Sequence, residues 1–486
     1  MKLSQLFENA PDIDILDLCF DSRKAKEHDM YFCMDGMIHD GHDFVEDVIQ
    51  KGVKCIVHSK DIESMHKGVV YIQVENVNRT LNVVASKFYG YPSQQLKVFG
   101  VTGTNGKSTV TNIIQNVYSK FYPCGYIGTI AIRYGDVKLA PNLTTPDPIL
   151  LHKTMREMVN HGMKAVALEV SSHGLELGRV QSIDFDIAVF TNLTYDHLDF
   201  HGTIEKYFDA KKKLFQLLKK DGVAVLNVDD PYYDQLKQAT NARVVTYGIQ
   251  NDADYYANHV KIGVHGSTFE LHYCGKVYNV STNLVALYNI YNLLAAIAAM
   301  CESGIAIEDI LPHLQYIDQI EGRMERIDEG QSFNVIVDFA HTPDGMEKVF
   351  EYARSITPEN KSIIAVFGSA GKRDTRKRKI FGEIADRYCS NIILTEDDPR
   401  DEDPREIANE IKAGILHTNN IFIADRYAAI RQAIESANAQ DTVLILGKGD
   451  EVFMYREFGR ENWIGDHIVA RDCIRKYYLQ ENEELA

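Results

Sequence analysis

The stretch Thr102-Gly103-Thr104-Asn105-Gly106-Lys107-Ser108 decides the fold class. It follows the apolar run Val98 to Val101. It precedes Val110, Ile113, Ile114 and Val117, spaced as one face of a helix. A strand, a glycine turn and a helix in that order aim backbone N–H groups and a helix N-terminus at an anion. Lys107 then reaches the terminal phosphates of a nucleoside triphosphate, and the Ser108 hydroxyl suits Mg²⁺. Gly103, Thr104, Asn105, Gly106 and Thr109 complete the loop. The strict phosphate-loop pattern has glycine at position 101, where this chain has Val101, so Gly103 is expected to supply the flexibility.

Outward from the loop, short continuous apolar runs recur: Ala165 to Val170, Ile187 to Thr191 and Val223 to Val228. They read as strands buried on both faces of a parallel sheet. A second set, Val335 to Asp338, Ile363 to Gly368, Ile392 to Thr395, Ile421 to Ala424 and Val443 to Gly447, alternates with helical patterns and predicts a doubly wound, Rossmann-like α/β domain. Ahead of the loop, Cys55 to Val57 and Val69 to Val74 predict a smaller α/β domain closed by the turn residues Tyr89 to Ser93. The length of 486 residues suits three domains. The expected boundaries are 1–95, 96–323 and 324–486, with the last join near Gly322-Arg323.

Lys plus Arg is 52 and Asp plus Glu is 69, a net charge of −17. That excludes a general nucleic-acid binder, which needs a basic face. No run reaches the length of a membrane span. The first residues lack an apolar signal core, and the eight scattered cysteines form no CxxC pair, so a cytoplasmic chain with reduced thiols is expected. Anionic ligands must then be met locally, by Lys107, Arg179 and the run Lys372, Arg373, Arg376, Lys377, Arg378 and Lys379.

Glu169 ends an apolar run, and His197 lies just past another, in Tyr195-Asp196-His197-Leu198-Asp199. A glutamate in a buried strand is costly unless paired or bound to metal, and ligands gather at the carboxyl ends of such strands. TGTNGKS, EVSSHGL, TNLTYDHLDFHG, EGRME, DFAHTPDG and GKGDE occur in this order along nearly the whole chain. Together they resemble the Mur ligase family of peptidoglycan precursor synthesis, and within it the members that add the third amino acid.

The resemblance implies an N-terminal UDP-binding domain, a central ATPase and a C-terminal domain for the incoming amino acid. It implies that ATP phosphorylates the carboxylate of UDP-N-acetylmuramoyl-L-alanyl-D-glutamate, and that an amine attacks the acyl phosphate. By the resemblance, Ser108, Glu169 and His197 hold Mg²⁺, with Lys211 as an anionic carbamate, and Lys107, Glu169, His197 and Lys211 are the catalytic set. Asn289, Asn292, Arg323, Asp338 and His341 would join the loop in binding ATP. Ser22 and His42 would serve the UDP end of the substrate, and Thr144, Thr145, Ser171 and Arg179 its dipeptide end. A monomer without membrane insertion is expected.

For the incoming amino acid the resemblance points to Arg373, Asp397, Asp398, Arg400, Gly447 and Glu451. Arg400 matches members that add meso-diaminopimelate, whose second carboxylate it would pair; a guanidinium repels the ammonium of lysine. Asp398 stands where Asn is usual, and Asp450 where His is usual. Two added carboxylates raise the expected preference for a cation. Meso-diaminopimelate is therefore favoured, with L- or D-lysine as the alternative. A folylpolyglutamate-synthase-like ligase and an inactive nucleotide-binding scaffold are the rivals of another class.

Overall fold

In the computed structural model, which describes residues 1–36 and 39–479, the phosphate-loop strand Lys97–Thr102 lies at the middle of an eleven-stranded sheet. Its neighbours, Ala165–Glu169 and Phe185–Phe190, run parallel to it, so Thr102, Glu169 and Thr191 gather at one end. The parallel part continues through Cys124–Ile127 on one side and Leu218–Asn227 and Arg243–Gly248 on the other. Both faces are covered. Val101, Ile113, Val189 and Leu294 belong to the core on one side, Val98, Leu168, Phe190 and Leu214 to that on the other. Burial on two faces explains why these strands read as unbroken apolar runs.

The sheet also carries antiparallel extensions that the apolar runs do not announce. Tyr255–Ile262, Ser267–Tyr273 and Lys276–Thr282 form a meander at one edge, and Ile132–Tyr134 with Val137–Leu139 a hairpin at the other. In the meander the residues alternate in burial, as in Tyr255–Ile262, because one face meets water.

The N-terminal sheet has four parallel strands, Leu18–Cys19, Met30–Phe32, Cys55–His58 and Val70–Gln73. The C-terminal sheet has six, in the spatial order Glu325–Ile327, Asn334–Asp338, Thr442–Leu446, Ile363–Phe367, Asn391–Leu394, Asn419–Phe422. Only the first pair is antiparallel. Helices pack on both faces, giving cores around Phe350 and Ile430. Asp338 ends its strand, and Gly368, Asp397 and Gly447 follow the carboxyl ends of theirs. All eight cysteines are free thiols, and among the described residues no helix is long and apolar enough to cross a membrane.

His152 sits in the helix Pro148–Asn160, fully buried, with no hydrogen-bond partner on either ring nitrogen. Burial pushes its pKa down to about 4. The folded state thus binds fewer protons than the unfolded chain between that value and the ordinary one near 6.5. Stability from the neutral ring is whole above pH ~6.5 and falls as pH drops toward 4, by roughly 3 kcal/mol at most. Thermal midpoints measured at pH 7 and pH 4.5 should show a smaller acid loss for His152→Leu than for the unaltered chain; equal losses would refute this role.

Candidate active site

The phosphate loop is built by tight contacts that glycine alone permits. Gly103 has φ +153°, and a Cβ there would lie 1.8 Å from Thr191 Oγ1. Val101 stays within the strand, so Gly103 supplies the turn, as expected. Gly106 has φ +88° and packs on Asn292 Oδ1, opening the helix Lys107–Tyr118. Thr191 Oγ1 donates to Asn105 O at 2.6 Å, Tyr207 Oη to Thr104 Oγ1 at 3.2 Å, and Asn105 Nδ2 to Asp344 Oδ2 of the C-terminal domain at 2.9 Å. Lys107 Nζ donates to the carbonyls of Gly103 (3.0 Å) and Thr104 (2.8 Å).

Beside the loop, the fully buried carboxylate of Glu169 accepts four hydrogen bonds. Ser108 Oγ (2.8 Å) and Thr129 Oγ1 (3.1 Å) donate to Oε2; Tyr126 Oη (2.5 Å) and the Thr129 N–H (3.0 Å) donate to Oε1. A Cβ at Gly128 would lie 2.2 Å from Oε1. Tyr126 and Thr129 are absent from the sequence reading, because nothing in the segment around them marks a partner 40 residues away.

Lys211 is 1% exposed; its Nζ donates to Gly103 O at 2.6 Å and lies over the Tyr207 ring, 4.3 Å from its centroid. Burial, then the charge of Lys107, pushes its pKa well below that of an ordinary lysine. The neutral amine is the form that adds CO₂. His197 takes a left-handed φ of 53°, edge-on to His173 at 4.8 Å. Asp196 Oδ2 lies 3.3 Å from His197 Nε2 and 3.8 Å from His341 Nε2 across the domain junction. Burial raises the Asp196 pKa, but His197, His341, Lys377 and the His197 N–H together outweigh it and hold the group below the ordinary carboxylate range. Ser108 and Glu169, 2.8 Å apart, are hard oxygen donors whose chemistry suits Mg²⁺, and Asp196 with His197, 3.3 Å apart, forms a second oxygen and imidazole pair.

At the expected dipeptide end, the residues cluster. Thr145 Oγ1 donates to Glu169 O (2.9 Å) and accepts from the Ser171 N–H (2.9 Å); Thr129 Oγ1 and Thr144 Oγ1 are 3.0 Å apart. Arg179 Nη1 donates to Thr145 O at 3.0 Å. At the expected UDP end, Ser22 opens a short turn whose carbonyl takes the Lys51 ammonium at 2.7 Å. His42 is occupied internally: Nδ1 faces Asp40 at 2.6 Å and Nε2 accepts from the N–H groups of Ser59 and Lys60. No hydrogen bond joins Ser22 to His42 among the described residues.

A cavity of about 370 Å³ lies between the central and C-terminal domains, lined by Thr109, Asn289, Gln319, Arg323, Met324 and Tyr352 among others. Asn292 lies beside it, donating to Asn289 Oδ1 at 3.0 Å. Arg323 lies over the Phe339 ring at 4.1 Å and pairs with Asp450 Oδ1 at 3.1 Å. Asp338 accepts from the N–H groups of Met324 (2.7 Å) and Ala340 (2.8 Å), and burial pushes its pKa up to about 6. His341 Nδ1 faces Phe339 O at 2.8 Å.

In the C-terminal domain, Asp397 is buried against Gly447, where a Cβ would lie 2.2 Å from Oδ2. Asp398 Oδ1 takes the buried Lys448 ammonium at 2.7 Å, and Lys448 also pairs with Glu451. Burial, against the pull of Lys448, lifts Glu451 to about 7. The expectation that Asp398 and Asp450 raise cation preference is therefore corrected: each has a cation of the chain itself, Lys448 and Arg323. The basic run is corrected in part as well. Arg378 is buried between Glu402 (2.9 Å) and Glu410 (3.0 Å), and Arg376 is held by Asp374 (2.7 Å), while Arg373 faces Asp199 of the central domain at 3.7 Å. Arg426 escapes the sequence reading; fully buried, it forks onto Asp466 (2.8 and 2.6 Å) and donates to Leu446 O and Glu396 O, tying the strand ends that carry Gly447 and Asp397.

Three family profiles match: the Mur ligase family catalytic domain over residues 15–89, the Mur ligase middle domain over 101–300, and the Mur ligase glutamate ligase domain over 322–449. The chain is 40% identical over 494 residues to the UDP-N-acetylmuramoyl-L-alanyl-D-glutamate–2,6-diaminopimelate ligase of Geobacillus kaustophilus, covering 98% of this chain and 100% of that one. It is 42% identical over 483 residues to the protein of the same name from Lactiplantibacillus plantarum, covering 98% and 94%. A solved structure of a ligase of that name superposes with a TM-score of 0.69 at 29% identity over 98% of this chain and 99% of that one. The MurF ligase of Thermotoga maritima, solved with ADP, shares the fold at TM-score 0.65 and 18% identity, covering 97% and 98%.

Proposed function

The chain belongs to the Mur ligase family, and from that premise we propose that it joins meso-diaminopimelate to UDP-N-acetylmuramoyl-L-alanyl-D-glutamate at the expense of ATP, in the cytoplasm. The observation that carries the choice of amino acid is the internal pairing of Asp398 and Asp450, which leaves Arg400 as the distinguishing charge beside Asp397 and Glu451.

A carboxylate is a poor acyl donor because its oxygen leaves badly. Its oxygen attacks the γ-phosphorus of ATP, the bond to the β-phosphate oxygen breaks, and ADP leaves. The amine then attacks the acyl carbon, loses its proton, and phosphate departs with the former carboxylate oxygen. The loop amides and Lys107 hold the phosphates during transfer. Ser108, Glu169 and His197 would hold Mg²⁺, with Lys211 contributing as a carbamate; the ion offsets the negative charge that two anions bring together. Tyr126 and Thr129 fix the Glu169 carboxylate. Thr144, Thr145, Ser171 and Arg179 serve the substrate's dipeptide, and Ser22 and His42 its UDP end, His42 by ordering the loop at Ser59. Asn289 and Arg323 line the nucleotide cavity, with Asn292 beside it. Arg373, Asp397, Arg400, Gly447 and Glu451 receive the amino acid.

The test is ADP release with the UDP-muramoyl dipeptide and, in turn, meso-diaminopimelate, L-lysine, D-lysine and L-ornithine. Meso-diaminopimelate should be preferred. No amino-acid-dependent release would sink the ligase reading, and a strong preference for lysine would sink the choice of amino acid alone.

A further inference from the structure

Asp450 lies in the loop Gly447-Lys448-Gly449-Asp450-Glu451, between residues assigned above to the amino acid, yet its carboxylate turns the other way. It is buried and pairs at 3.1 Å with Arg323, which lines the nucleotide cavity; the two side chains are only 7% and 14% exposed. The backbone reinforces the contact. Gly322 has φ +63°, and a Cβ there would lie 2.0 Å from the Asp450 nitrogen. Gly449, in turn, has φ +54° and packs on Phe339, whose ring stacks on Arg323. The other end of the same loop is pinned by Lys448, which pairs with both Asp398 and Glu451. The five-residue loop therefore carries two ion-paired anchors separated by Gly449 alone, Asp450 toward the nucleotide cavity and Lys448 toward the amino-acid pocket.

We infer that Asp450 is a positioning residue that couples nucleotide binding to amino-acid binding, by holding Arg323 through the loop that carries Glu451. Arg323 then cannot take up phosphate-binding geometry independently of the Gly447–Glu451 loop. Coupling of this kind is a free energy shared by two sites and is reciprocal. The inference rests on the ligase reading above.

Calorimetric titration of the full chain tests it, with Asp450→Asn and Asp450→His compared with the unaltered protein and thermal midpoints as the folding check. ADP is titrated first. Meso-diaminopimelate is then titrated with and without a saturating non-hydrolysable ATP analogue. Loss of a buried charge pair should weaken ADP by about tenfold. Diaminopimelate affinity without nucleotide should change by less than about twofold, and the gain that nucleotide confers should vanish. A variant with unchanged ADP affinity and unchanged coupling overturns the inference. So does direct loss of diaminopimelate affinity without nucleotide, which would make Asp450 a receptor for the substrate. If the unaltered chain bound no ADP, the ligase reading would fall together with the coupling.

Discussion

Lys211→Ala should lower kcat by about a thousandfold, the scale on which charge-stabilising groups act in buried sites. The lysine is fully enclosed, and its ammonium group meets Gly103 O and the Tyr207 ring. Among the described residues no carboxylate forms an ion pair with it, and the more distant charge of Asp196 is outweighed by burial. An ammonium left there would face both Lys107 and the cations that accompany ATP. Burial and Lys107 instead drive the group toward the neutral amine. On the proposed reading that amine would add CO₂ and lose one proton, and the product would present two oxygens and a negative charge to a bound cation. Short-chain acids such as acetate or formate should restore part of the activity to Lys211→Ala by lending a carboxylate to the space. The intact mass of the unaltered protein should include one CO₂, lost on acidification. Near-normal activity in Lys211→Ala, or failure of every short acid to rescue a variant that melts normally, would refute the carbamate.

The parts legible in the sequence are those whose physics is local or whose burial is two-sided. The phosphate loop needs a strand, two glycines and a helix within some twenty residues, and all are consecutive. The strands on either side carry apolar residues on both faces, so their runs stand out. The meander from Tyr255 to Thr282 does not, because its residues alternate and its tight turns at Gly266 and Gly275 are short. Tyr126 and Arg426 stay hidden for a different reason. Each acts on a partner far along the chain, Glu169 or Asp466, and neither has a local pattern to mark it. Asp398 and Asp450 show what sequence alone misjudges: an added carboxylate changes specificity only if it lacks a cation, and pairing with Lys448 or Arg323 is visible only in three dimensions.

Arg400→Ala should lower kcat/KM for meso-diaminopimelate by about a hundredfold while changing that for L-lysine by less than about threefold, the scale expected when one charge-assisted pair is lost. The side chain is held ready rather than loose. Its backbone has φ 55°, its N–H donates to Tyr455 O at 3.0 Å, and its guanidinium lies 5.1 Å from the Tyr455 ring centroid. Nη1 donates to Gly371 O at 2.6 Å, which uses one of five N–H donors. Gly371 is itself confined, since a Cβ there would lie 2.0 Å from Pro399 O. A planar fork fixed in this way suits a second carboxylate, which diaminopimelate has and lysine lacks, and it opposes an ammonium. Arg400→Lys should restore little, because a point charge on a flexible stem reproduces neither the fork nor the stacking on Tyr455. Competition between the two amino acids in one reaction reads the ratio directly. If Arg400→Ala depresses both substrates equally, the residue supports the loop at Pro399 and does not read the second carboxylate.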